Sequence, residues 1–215
     1  MTWDQHAERE EARYGDALAR MPDEPDARQK QMVRAAMAAG GAGLARLMQG
    51  RSAEAAGWFA RSAERYRESW PDAPPGSWGR LIGALKARIL GGDWDGAEVD
   101  ARWALEQDPA GGDSPIGLYA ATLAQLILGD NEEAVQLTGE LVQDPDFPPA
   151  VSGALHALAS GDGPDYALEA ASVLRSFEER GEYLENIPVA DTVIVLEALA
   201  ERRGMATRPA SSLLP

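Results

Sequence analysis

Residues 92–97 read Gly92-Asp93-Trp94-Asp95-Gly96-Ala97, and this stretch decides the fold. It joins two segments of helical character, Trp78–Leu90 and Trp94–Gln107, and places an Ala five residues after a Gly. The same register recurs without a gap at Gly50-Arg51-Ser52-Ala53-Glu54-Ala55 and at Gly129-Asp130-Asn131-Glu132-Glu133-Ala134. Gly161…Ala167 matches with one extra residue, and the four glycines are spaced by 42, 37 and 32 residues. A Gly there takes the left-handed turn that ends one helix. The Ala sits where the next helix crosses close to the first, so a larger side chain would push the pair apart.

Outward from these turns, nearly every segment between Pro, Gly and Asp punctuation reads as a helix, and the alternation that marks strands is absent. The segments are Trp3–Ala19, Ala27–Met48, Ala53–Ser69, the pair around Gly92, Pro115–Leu128, Asn131–Val142, Ala150–Ser160, Tyr166–Glu179 and Pro188–Arg203. Ser114 followed by Pro115 supplies a cap and a first-turn proline. Pro115–Leu128 carries only Thr122 and Gln125 as polar side chains and is expected to be buried nearly all round. The expectation is a single all-α domain of nine to eleven helices: an N-terminal helix in 1–24, four helix pairs over 27–180, a capping helix at 188–203 and a loose tail at 204–215.

The unit 78–109 resembles the tetratricopeptide repeat family. Gly92-Asp93-Trp94-Asp95-Gly96-Ala97, Ala101, Ala104-Leu105 and Asp108-Pro109 fall in that family's second-helix pattern, and Leu81, Ala84 and Leu85 fall roughly at its first-helix positions. The likeness extends over about residues 30–180 in four units of decreasing quality. It departs from the family in its longer linkers and drifting spacing, and only Gly43 matches the usual first-helix Gly. The resemblance implies antiparallel helix pairs stacked as a right-handed superhelix, and a protein-binding scaffold rather than an enzyme. It also implies that the first helix of each pair lines a groove. Counted back from each turn Gly, the groove residues are Leu44, Ile82, Lys86, Ile89, Tyr119, Leu123, Leu126 and Leu155. Such an apolar surface calls for a cover, which could be the chain's own first helix or tail, a second copy in a homodimer, or a partner's helix.

Composition narrows the function classes. With no Cys in 215 residues there is no disulfide, no Cys-ligated zinc and no thiol catalysis. No apolar run reaches the ~18 residues of a membrane span. The start, Met1 to Glu8, lacks the basic and apolar parts of a signal peptide, so a cytoplasmic protein is expected. A net charge of −15 argues against nucleic acid and anionic membranes as partners. Residues 1–110 carry −3 and residues 111–215 carry −12. No Lys or Arg lies between Arg102 and Arg175, a stretch with twelve Asp or Glu. This is a solvated acidic surface, or a docking face for a basic partner.

Chemistry-bearing residues are sparse. His6 and Glu10 stand four apart and are expected on a solvated helix face. Ser152 and His156, also four apart, lack the exposed elbow of a nucleophilic serine. Gly40-Gly41-Ala42-Gly43 has no preceding strand and no following Lys, so it reads as close helix packing. Glu178, Glu179, Glu182 and Glu185 read as surface carboxylates, and Trp70 and Trp78 as the tryptophans most exposed. No cofactor or metal is expected. The leading expectation is a protein-binding module. The alternatives are an inhibitor or immunity-type protein whose acidic half blocks a basic enzyme, and a small-ligand binder.

Overall fold

Local chemistry sets where the helices begin and end. Thr2 and Gln5 form a reciprocal cap ahead of the first helix, each bonding the other's backbone N–H. The Glu24 carboxylate takes the backbone N–H groups of Asp26 and Ala27 at the second, which opens with Pro25. Ser114, Asp130 and Asp162 accept the N–H groups of Gly117, Glu133 and Asp165. Gly50, Gly92, Gly129 and Gly161 adopt φ of 71°, 69°, 79° and 73°. After each, the next residue's N–H reaches back five positions to a helix carbonyl: Arg51 to Arg46, Asp93 to Arg88, Asp130 to Gln125 and Asp162 to Ala157. Gly204 (φ 70°) and the Met205-to-Ala200 bond repeat this geometry at the last helix.

The computed structural model describes all 215 residues, the side chain of Leu184 excepted. Among the described residues there are ten α-helices and no strand. They are α1 (Trp3–Ala19), α2 (Pro25–Met48), α3 (Ser52–Glu68), α4 (Gly79–Leu90), α5 (Trp94–Glu106), α6 (Pro115–Leu128), α7 (Asn131–Gln143), α8 (Pro149–Ser160), α9 (Gly163–Glu178) and α10 (Asp191–Glu201). A short 3-10 turn, Leu184–Asn186, precedes α10. The all-helical expectation holds.

The chain forms two compact units: Met1–Asp93 with Glu182–Val189 and Pro215, and Trp94–Gly181 with Ala190–Leu214. In the first, α1 packs on α2, α2 on α3 and α3 on α4. Its core is rich in Ala, with Ala35, Ala36, Ala39 and Ala42 fully buried on α2. The glycines of that helix permit close packing: a Cβ on Gly43 would stand 2.7 Å from the Phe59 ring. In the second unit α5 to α9 pack each on the next, and α10 lies on α8 and α9. Leu118, Ala121, Leu137, Leu141 and Phe147 form a cluster there, with Tyr119 packed against it. Buried residues surround α6, as its composition requires, although Ile116 at its start is exposed.

Three local expectations are corrected. In the fourth turn Ala167 is exposed, and Tyr166, five residues after Gly161 without any insertion, is fully buried. The register is therefore unbroken, with an aromatic ring in place of the Ala methyl. The tail is not loose. Leu213 is buried, its carbonyl accepts the Ala190 N–H at 2.9 Å, and Thr207 and Arg208 are tied to α10. The last helix starts at Asp191 rather than Pro188, with Ala190 at its cap in a non-helical conformation and its N–H, one of the donors a helix start leaves free, bonded to the tail.

Candidate functional site

The first unit buries a charged cluster on α1. The phase set by the Thr2 cap turns His6, Ala7 and Glu10 inward. Glu10 has no solvent exposure at all. Arg9 Nε donates to its Oε1 at 2.7 Å and Arg13 Nη1 to its Oε2 at 2.7 Å. Both guanidinia also hold Glu185: Arg9 Nη2 donates to its carbonyl at 2.5 Å, and Arg13 bonds its carboxylate. Burial pushes the Glu10 carboxyl above the ordinary glutamate range, and the two guanidinia only partly offset this. His6 is 6% exposed, and its Nδ1 has no hydrogen-bond partner. Burial, the Arg9 charge and the N-terminus lower its pKa. The solvated face expected at His6 and Glu10 is thus a buried one. Gly41 explains the fit, since a Cβ there would lie 2.9 Å from both Glu10 Cγ and Ile187 Cδ1. Elsewhere in this unit Arg80, itself buried, donates to the Ser69 carbonyl and to Gln29 Oε1, joining α2, the end of α3 and α4.

The second unit is defined by charge and by a carboxylate clasp. It holds twenty Asp or Glu against six Arg, a net of −14, whereas the first unit carries fifteen acidic against fourteen basic residues, a net of −1. Asp130, Glu132 and Glu140, on and just before α7, are all exposed. Half-buried Glu197 gathers four donors: Tyr166 Oη at 2.7 Å, Thr207 N–H at 2.8 Å, Thr207 Oγ1 at 2.8 Å and Arg208 N–H at 2.6 Å. Burial, reinforced by this carboxylate, raises the Tyr166 pKa, so the phenol stays a donor. Arg203 donates to the Leu126 and Leu199 carbonyls and to Asn131 Oδ1, with its pKa lowered by burial and by Arg202.

The residues expected to line a groove divide in two. Ile89, Leu123, Leu126 and Leu155 are 0–3% exposed, enclosed by the chain itself. Leu44, Ile82, Lys86 and Tyr119 are half-buried. Leu44 packs beside Phe59, and Tyr119 stands 5.4 Å from the Phe147 ring. Trp70 and Trp78 are half-buried, with ring centroids 5.9 Å apart. Ser152 donates to the Pro149 carbonyl, and His156 Nδ1 pairs instead with Thr138 Oγ1 at 2.9 Å. Glu178 accepts from Ser211, and Glu185 is engaged by Arg13.

The sequence reading missed Arg9, Arg13 and Glu185 as one cluster, and Glu197 as the anchor of the tail. Only the i, i+3 spacing of Glu10 and Arg13 offered a signal, and that spacing is common on solvated helices. Among the described residues no group of three or more His, Asp or Glu is placed to hold a metal ion, and no helix is long and apolar enough to cross a membrane. No protein family, curated protein or solved structure matches the chain.

Proposed function

We propose that this chain is a non-catalytic protein-binding scaffold of tetratricopeptide-like helix pairs, and that its docking surface is the acidic exterior of the second unit. The observation that carries this reading is the segregation of charge: −14 on one unit and −1 on the other. A surface so uneven attracts a basic protein face and speeds its encounter. The repeat assignment is supported by the four left-handed glycines with their identical backward bonds, and by the buried residue five places after each. The apolar groove is the weaker docking surface, because half of its residues are already enclosed. The partner is a protein with a basic face, and blocking of a basic enzyme is one form this binding takes.

The test compares the wild-type chain with a variant carrying Glu132→Gln, Glu133→Gln and Glu140→Gln. Both are used to capture proteins from the source organism at 0.05 and 0.5 M salt. Basic proteins should be held by the wild type at low salt, and released by the higher salt or by the variant. Equal capture under all four conditions would refute the acidic surface as the docking site.

A further inference from the structure

Residues 182–189 belong to the first unit and lie against the face that α1 and α2 present. Three contacts seat them. Arg9 bonds the main-chain carbonyl of Glu185, Arg13 bonds its carboxylate, and Ile187, 2% exposed, fills the notch left by Gly41. Held through a carbonyl, a carboxylate and, two residues on, an aliphatic side chain, the segment uses the kinds of main-chain and side-chain contact by which one protein holds a peptide of another. The receiving groups also have a tie outside the segment. Each guanidinium also bonds the buried Glu10 carboxylate, which holds both arginines in position. The segment itself is held awkwardly, with Glu185 and Asn186 consecutively at φ 55°, where L side chains other than Asn or Asp are rarely found.

We propose that the Arg9–Arg13 pair and the Gly41 notch form a peptide-binding site, occupied here in cis by Glu185-Asn186-Ile187. Its ligand in trans is a tight turn of a partner protein with a carboxylate two residues ahead of an aliphatic side chain. A turn with Gly or Asn at the two left-handed positions makes the same contacts at a smaller backbone cost. It competes with a tethered occupant whose effective concentration is about millimolar, so the intact chain binds it weakly and a chain with a loosened segment binds it well. The site is independent of the acidic surface, and the triple Gln variant of the second unit should bind the peptide as the wild type does.

The probe is a fluorescent peptide of residues 182–190, read by anisotropy against full-length protein. A control peptide has Gln in place of Glu185 and Ala in place of Ile187. The Ile187→Ala protein should bind the native peptide at least tenfold more tightly than the wild type does, and the control peptide no better. Adding Gly41→Val to that protein, which fills the notch, should abolish the gain. Glu185→Gln, which keeps the shape of the segment and removes its charge, should tighten binding several-fold. This second variant decides the matter if Ile187→Ala loses its helical circular dichroism. Equal binding of native and control peptides, or no gain in a folded variant, overturns the proposal.

Discussion

Two glycines ten residues apart in the second unit should respond with opposite sign to the same substitution. Gly129 sits at φ 79° at the end of α6, and Gly139 lies inside α7. A Cβ built on either meets nothing within 4 Å, so neither substitution creates a clash. What differs is the backbone. Ala at Gly129 must hold the left-handed conformation, which costs about 1–2 kcal/mol, or give up the Asp130-to-Gln125 bond that closes the turn. Ala at Gly139 has ordinary helical geometry and should stabilise by roughly 0.5–1 kcal/mol, because Gly loses more chain entropy on folding. The two proteins should therefore differ by about 2 kcal/mol. For a chain of this size that is a gap of roughly 4–8 °C in melting temperature. Urea unfolding followed by circular dichroism measures both, and Gly129→Asn serves as a control, since Asn tolerates this conformation and should lose less. If Gly129→Ala is neutral or stabilising, the turn is not held as described, and the same reasoning fails at Gly50, Gly92 and Gly161.

Ala97→Leu should overpack the fully buried contact that α5 makes there and cost about 1–3 kcal/mol; an unchanged melting temperature would show that the site has room. The raised pKa of Glu10 means that the folded state binds its proton more tightly than the unfolded chain does, so this group's contribution to stability declines as pH rises from the ordinary glutamate value of 4.5 through the folded pKa. Glu10→Gln should flatten that part of the stability–pH curve, and an unchanged curve would show the carboxyl to be better solvated than its burial implies. In the −14 unit the ion pairs Arg102–Glu98, Arg202–Glu98 and Arg208–Glu201 are exposed and weak. Self-repulsion should outweigh them, and the melting temperature should rise between about 0.01 and 0.15 M salt as the Debye length shrinks from ~30 to ~8 Å; a fall would mean the pairs dominate.

The sequence alone determined what depends on neighbours a few residues away. Helix ends follow from caps and glycines that act within one turn, so Trp3–Ala19 and Pro115–Leu128 were legible to the residue, and the four turn glycines could be assigned their backbone in advance. The fourth pair was misread by one place, because a Tyr packs where the other turns put an Ala, and only its position against α10 shows that Tyr166 belongs inside. Tertiary structure decided which polar groups are buried. Glu10 looks like any carboxylate on a charged helix until Glu185 and Ile187, distant in sequence, close over it together with the bare backbone of Gly41. The tail is similar: its composition is that of a loose end, yet the Glu197 carboxylate and the Ala190 N–H hold it in place. Burial of a charge or docking of a tail is set by contacts across the fold, and periodicity along a single helix records only which face could be apolar, not what comes to lie on the other.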